Sequence, residues 1–350
     1  MTPVAAIPVP TPAGGVLAIM LCRLGTVPLL LTGLAIVATV VFGELPGDGR
    51  YSGVLQDSCH APAFAALASI MFALLARHSR RSPAADEPRT RAIVRTALVQ
   101  AFAVVGVMLC LGAATEILQG MLGRDAEVDD VISDVIGASG VAALWVYATL
   151  QGNPHPSARL GRGVALLACA VLAVCWAAPS VRCGLGYWAR DARFPVLAQF
   201  QSQRDLYFVA ADPGPARIVP NQQQAAGGPS AALRVPLDRG RWPGLTLTEV
   251  VPDWRGFHTI ALDLENPGTV ELSLRLRVND RAHNGAFDDR FNTRLMLLPL
   301  TRSTVEIPLE QIAASPRTRR MDLGQMAEII LFRDGGAPGQ AVLVERIWLR

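Results

Sequence analysis

Five apolar runs fill the first half of the chain, near residues 24 to 43, 60 to 76, 93 to 114, 131 to 150 and 163 to 181. A helix needs roughly 17 to 25 predominantly apolar residues to cross a bilayer core. Runs of that length, repeated, leave little choice but a helical membrane domain, since a spanning helix satisfies its backbone polar groups internally. The run at 60 to 76 is the shortest and must borrow from its flanks. The first lacks a basic leader and is followed by "GELPGDGR" rather than a small-residue cleavage site, so it reads as a retained span rather than a signal peptide. Composition agrees: 51% of residues are hydrophobic, 17% are charged, and mean hydropathy is +0.32.

Charge in the connections sets an orientation. The segment "RHSRRSPAADEPRTRAIVR" (77 to 95) has six arginines against two acids, and 151 to 162 has two arginines and no acid. Both are expected on the cytoplasmic side, and the acidic connections at 43 to 60 and 115 to 130 on the other. With five crossings of the cell membrane and the N-terminus inside, residues 1 to 23 form a cytoplasmic N-terminal segment, 24 to 182 the membrane domain, and everything beyond is extracytoplasmic. The lipid bilayer is thus the first partner expected. A net charge of +3 gives no argument for nucleic acid. All 32 cationic side chains are arginine, which reflects bulk usage, so no single arginine is informative by its type.

Beyond residue 190 the pattern changes. In "VELSLRLRV" (270 to 278), Val270, Leu272, Leu274, Leu276 and Val278 alternate with Glu271, Ser273, Arg275 and Arg277, the period of a strand with one buried face. Similar runs occur at 245 to 251, 258 to 266, 294 to 300, 303 to 309, 327 to 332 and 342 to 350, several separated by turn formers. About eight strands predict an all-β sandwich of jelly-roll type over 190 to 350. Its 20 arginines against 18 acids form no basic stripe.

Two groups of residues invite a functional reading. The first lies at the non-cytoplasmic ends of the spans: His60 opens the second, Glu116 and Gln119 close the third one helical turn apart, and Asp130 and Asp134 open the fourth at i, i+4. Arg124 stands between, and Gly137 and Gly140 supply a small helix surface. Ionisable groups in a span are costly and turn inward to pair; Asp134 is deep enough to need Arg124 or His60. His60, Glu116, Arg124, Asp130 and Asp134 are the catalytic candidates, with His60 as a general base and Arg124 as a phosphate clamp. The competing expectation is an inward-facing polar network that only fixes helix packing. The second group is in the sandwich, where Trp242, Trp254, His283, Arg290 and Asn292, with Gln119 of the first group, are the binding candidates. Aromatic faces beside planar polar groups hold sugars; the same tryptophans also read as core plugs.

The order Glu116-x-x-Gln119, Arg124, Asp130-x-x-x-Asp134, Gly137-x-x-Gly140, preceded by His60-x-x-x-Phe64, resembles the VanZ-like family of bacterial membrane proteins over roughly residues 25 to 155. The sequence departs from that pattern at Asp57, which stands three residues before His60 rather than four, at Ser58 in place of lysine, and at Asp134 in place of asparagine. The resemblance implies a cell-envelope role, the founding member being linked to teicoplanin resistance. The second half resembles galactose-binding-like and carbohydrate-binding jelly rolls. Together these imply an envelope glycan or lipid-linked saccharide as partner. The alternatives are an enzyme acting on a lipid-linked phosphate or sugar at the outer leaflet, and a sandwich that docks a protein. No cofactor is expected, and no Cys/His spacing marks a metal site. Six cysteines, all before residue 184, allow one disulfide, Cys59 to Cys183.

Overall fold

The computed structural model describes residues 25–43, 45–47, 49–79, 89–124, 126–212, 214, 216–220 and 230–350. The chain separates into two compact units, with the division after Gly184. Residues 1 to 23 lie outside the described residues.

The first unit is helical. Helix α1 is Thr26–Phe42, α2 Arg50–Ser79, α3 Arg89–Met121, α4 Val128–Thr149 and α5 Pro156–Ala192, the last running past the division. Four of these, α2 to α5, are long and apolar enough to cross a membrane. Helix α1, with 17 residues, extends about 26 Å, just short of a bilayer core of about 30 Å. Nearly half of the α2 span is buried against 6% of the α5 span, so α2 is central and α5 presents apolar side chains outward. Phe64, Leu67, Ala68 and Phe72 of α2 meet Val104 and Met108 of α3 and Ala138 and Ala142 of α4, while Phe72 stacks on Trp145 at 4.8 Å.

Helix α2 starts ten residues before the apolar run that announced it. Residues 50 to 59, expected in a connection, are helical, and His60 therefore lies well inside a helix rather than at its start. Hydropathy does not register helical polar residues such as Gln56 and Asp57, and Ser58 is content there because its hydroxyl bonds the Val54 carbonyl at 2.6 Å. Pro62 sits within α2 and cannot donate to the Ser58 carbonyl, as any other residue there would. The indole N–H of Trp176 on α5 donates to that carbonyl instead, at 2.9 Å. Cys59 and Cys183 are both free thiols.

The second unit is an antiparallel sandwich of eleven strands among the described residues. They are β1 (Val196–Gln199), β2 (Val209–Asp212), β3 (Arg217–Pro220), β4 (Ala231–Pro236), β5 (Gly244–Thr248), β6 (Thr259–Asn266), β7 (Leu272–Asp280), β8 (Phe291–Leu297), β9 (Thr301–Pro308), β10 (Met326–Phe332) and β11 (Ala341–Leu349). One sheet has the order β3-β4-β11-β6-β9 with β1 also on β11; the other is β2-β5-β10-β7-β8. The chain crosses repeatedly from one sheet to the other, the pattern of a jelly roll. Strand β7 shows the expected alternation, with Leu272, Leu274, Leu276 and Val278 all buried. The four short strands β1 to β4 lack alternating stretches long enough to have been read beforehand. Strands β6 and β11 bury both faces: outward-facing Asp263 accepts from Thr304 at 2.7 Å and from Arg346 at 3.1 Å, and Glu345 pairs with Arg302 at 2.6 Å.

Candidate functional site

In the helical unit the polar residues converge between α2, α3 and α4. The close approach is made possible by two glycines. A Cβ at Gly137 of α4 would lie 1.9 Å from the Ala61 carbonyl oxygen of α2, and one at Gly112 of α3 would lie 2.5 Å from Asp134 Oδ2. Backbone therefore touches backbone at one crossing, and the Asp134 carboxylate fits over bare backbone at the other. Gly140 is different, with nothing within 4 Å of its Cβ position.

Asp134 is fully buried, and His60 is buried beside it. His60 Nδ1 lies 3.1 Å from Asp134 Oδ1, and His60 Nε2 lies 3.4 Å from Asp130 Oδ2. An ionised carboxylate only accepts, so Nδ1 donates to Asp134, and Nε2 faces Asp130 from the opposite side of the ring. Glu116, also buried, accepts through Oε2 the backbone N–H of Glu127 at 2.9 Å and so ties the end of α3 to the start of α4. Gln119 donates from Nε2 to the Val40 carbonyl at 3.0 Å, and Arg124 donates to the Val41 carbonyl at 2.7 Å. These two fasten the end of α1. Of Asp134's two expected partners, His60 is the one it meets.

Three carboxylate oxygens in this cluster are buried without a hydrogen-bond partner: Glu116 Oε1, Asp130 Oδ1 and Asp134 Oδ2. One ligand atom each from His60, Glu116 and Asp130 lie within 4.8 Å of one another. No sequence spacing announced this set, because its members come from three helices separated by up to 70 residues in the chain.

In the sandwich, the outward face of the β2-β5-β10-β7-β8 sheet is polar where strand register brings side chains abreast. Arg277 pairs with Ile330 and Asn292, Asn279 with Glu328, and Arg275 with Phe332 and Arg294. A fixed chain of bonds crosses this face. Arg277 donates from Nη2 to His283 Nε2 at 3.1 Å and from Nε to Asn279 Oδ1 at 3.1 Å, and Asn279 in turn donates to Glu328. His283 Nδ1 lies 2.9 Å from the Asp289 carbonyl, so it is the N–H that donates there, and the neutral ring serves as an acceptor for Arg277.

Beside this chain, the Arg290 guanidinium lies 5.1 Å above the exposed Phe287 ring, and Asn292 donates to the Phe287 carbonyl at 3.3 Å. Burial and the neighbouring Arg277 charge lower the Arg290 pKa. Trp242 is half exposed, edge-on to Phe332 at 5.8 Å, with Arg241 over its ring at 5.3 Å.

Trp254 has no place on this face: it is wholly buried, its indole N–H held by the Val251 carbonyl at 2.7 Å, and it fills the sandwich core. Arg275, Arg277 and Glu328, which line this face, were not among the binding candidates drawn from the sequence, although the alternation of β7 had already put the two arginines outward.

No family model matches the chain, and no curated protein matches it. Among solved structures, the chain is similar to a family 11 carbohydrate-binding module from Clostridium thermocellum in complex with a β-1,3-1,4-mixed-linked tetrasaccharide. The two share 15% identity over 44% of this chain and 93% of that one, with a TM-score of 0.32. A xylan-binding CBM22-1 domain from Paenibacillus barcinonensis gives 16% identity over 44% and 93%, with a TM-score of 0.30. An exo-β-agarase gives 18% identity over 44% of this chain and 24% of that one, with a TM-score of 0.37.

Proposed function

We propose that this chain is an integral membrane protein of the bacterial cell envelope whose sandwich, on the non-cytoplasmic side, holds a glycan. The observation that carries the proposal is the outward face of β10, β7 and β8. There Arg277 and Glu328 are held in fixed directions by the buried Asn279 and by His283, and an exposed Trp242, just ahead of β5, packs edge-on against Phe332 of β10. Saccharide hydroxyls need donors and acceptors held in place, and an aromatic face receives the apolar side of the ring. Preorganised polar groups reduce the ordering cost of binding. Arginine bias in the connections supports the orientation, and the ordered Glu116-to-Gly140 pattern supports VanZ-like membership and an envelope role. Under that membership, loss of the protein alters glycopeptide susceptibility.

The test uses the full chain in lipid nanodiscs on a glycan array, followed by calorimetry on the best ligand. Arg277→Ala and Trp242→Ala should each weaken binding at least tenfold, a loss of about 1.4 kcal/mol. Trp254→Ala is not a suitable probe, because it removes core. Absence of binding to any envelope or plant glycan, or binding indifferent to both substitutions, overturns the proposal in favour of a protein partner.

A further inference from the structure

We propose that His60, Glu116 and Asp130 bind a divalent transition-metal ion between helices α2, α3 and α4, with Asp134 orienting His60 from behind. The inference stands apart from glycan binding by the sandwich. It rests on three observations within the helical unit.

The first is donor geometry. His60 Nε2 and Asp130 Oδ2 are 3.4 Å apart, and neighbouring donors on a tetrahedral zinc with bonds of about 2.0 to 2.1 Å are separated by about 3.3 Å. The third donor, from Glu116, falls within 4.8 Å of both.

The second is the setting of the His60 ring. Asp134 Oδ1 lies behind it, 3.1 Å from Nδ1, and Asp130 Oδ2 lies in front, 3.4 Å from Nε2. With the Nδ1 proton donated to Asp134, Nε2 can ligate an ion that Asp130 also holds. Carboxylate behind, imidazole between, ion in front is the common arrangement at metal-ligating histidines, because the rear hydrogen bond fixes the ring and raises its basicity.

The third is the unsatisfied oxygens. Glu116 Oε1, Asp130 Oδ1 and Asp134 Oδ2 are buried without a hydrogen-bond partner. Buried, unpartnered carboxylate oxygens are costly inside an apolar bundle, and a divalent ion offsets two of the three negative charges. One imidazole with carboxylates suits zinc or manganese rather than a soft thiol-preferring ion. Three protein donors leave one tetrahedral position for water or a ligand oxygen.

The experiment uses full-length protein, purified through a tag free of histidine, reconstituted in nanodiscs and stripped with a chelator. Zn2+ or Mn2+ is then added, excess removed, and metal content read by mass spectrometry, with Mn2+ also followed by electron paramagnetic resonance. Wild type should retain one equivalent and melt at a higher temperature when loaded. His60→Ala and Glu116→Gln should retain none; Glu116→Gln keeps side-chain volume, so it decides the matter if His60→Ala fails to fold. Asp134→Asn should weaken retention by about 10- to 100-fold, as loss of a rear partner does. Wild type that retains neither ion overturns the proposal and leaves His60 as an imidazolium bridging two aspartates. Retention undiminished in Glu116→Gln overturns it as well.

Discussion

Arg319 shows what one side chain can organise. It donates to both Asp280 oxygens, at 2.6 and 2.7 Å, and to Asp289 Oδ1 at 2.6 Å. The connection from β7 to β8, which presents His283, Phe287 and Arg290, is thereby held at both ends. Burial pushes the Asp280 carboxyl up, but the Arg319 bonds, the Asp322 N–H and the Arg319 charge outweigh it and hold its pKa below the ordinary value. Asp289 is held down to about 2, first by Arg319 and then by the Asn284 N–H. Both folded values lie below the unfolded ones, so this stabilisation is complete above about pH 4 and is lost as pH falls toward the folded values. In thermal melts, Arg319→Met should lower the sandwich Tm by several degrees at neutral pH. It should also flatten or reverse the wild-type fall in Tm on acidification, because two uncompensated neighbouring carboxylates gain from protonation. An unchanged acid profile in the variant sinks this account. His283 and Arg290 were picked out from the sequence as binding candidates on this connection. Arg319 was not, since nothing local links it to residues 30 or more positions earlier.

At the scale of elements, glycines at i, i+3 on α4 look equivalent in sequence and are not. Gly137 has the Ala61 carbonyl 1.9 Å from its Cβ position, and Gly140 has open space. Gly137→Ala must therefore push α4 off α2, whereas Gly140→Ala adds a methyl at no steric cost and removes backbone freedom from the unfolded chain. The expected outcome is a sharp loss of Tm and of detergent-extracted monodisperse protein for Gly137→Ala, with Gly140→Ala unchanged or slightly stabilised. Equal effects at both sites count against the packing described. Long elements with sustained periodicity, α3 to α5 and β6 to β11, were legible from hydropathy or alternation. Helix α2 was legible only in its apolar part, because its first ten residues mix Arg50, Ser52, Gln56, Asp57 and Ser58 with a few apolar ones and show no sustained run. Strands β1 to β4 are four to six residues long and acquire their identity from pairing partners rather than from their own pattern.

For the molecule as a whole, the two units present different surfaces. The helices α2 to α5 carry exposed leucine, valine and phenylalanine along lengths suited to lipid, while the sandwich closes its own core around residues such as Phe200, Trp254 and Leu262. The charge bias in the connections predicts an orientation that reporter fusions check directly. A cytosol-active reporter at residue 85 and a periplasm-active reporter at residues 125 and 300 should each give signal, and a fusion at residue 47 shows whether the short α1 also spans. A reporter at residue 300 that is active only in the cytosol would remove the glycan proposal, since the sandwich would never meet an envelope saccharide.

Residue order alone determined the division into an apolar helical half and an alternating β half, because both periodicities are local properties of the chain. It also determined that His60, Glu116, Asp130 and Asp134 had to turn inward, since charge in a span has nowhere else to go. Tertiary packing decided which of them meet. Asp134 reaches His60 because Gly137 lets α4 close on α2 to backbone distance and Gly112 leaves room on α3 for its carboxylate, and Trp254 lies in the core while Trp242 stays exposed because their strands and turns are placed by partners far along the chain. Meetings of that kind depend on distances across the fold, which no local pattern encodes.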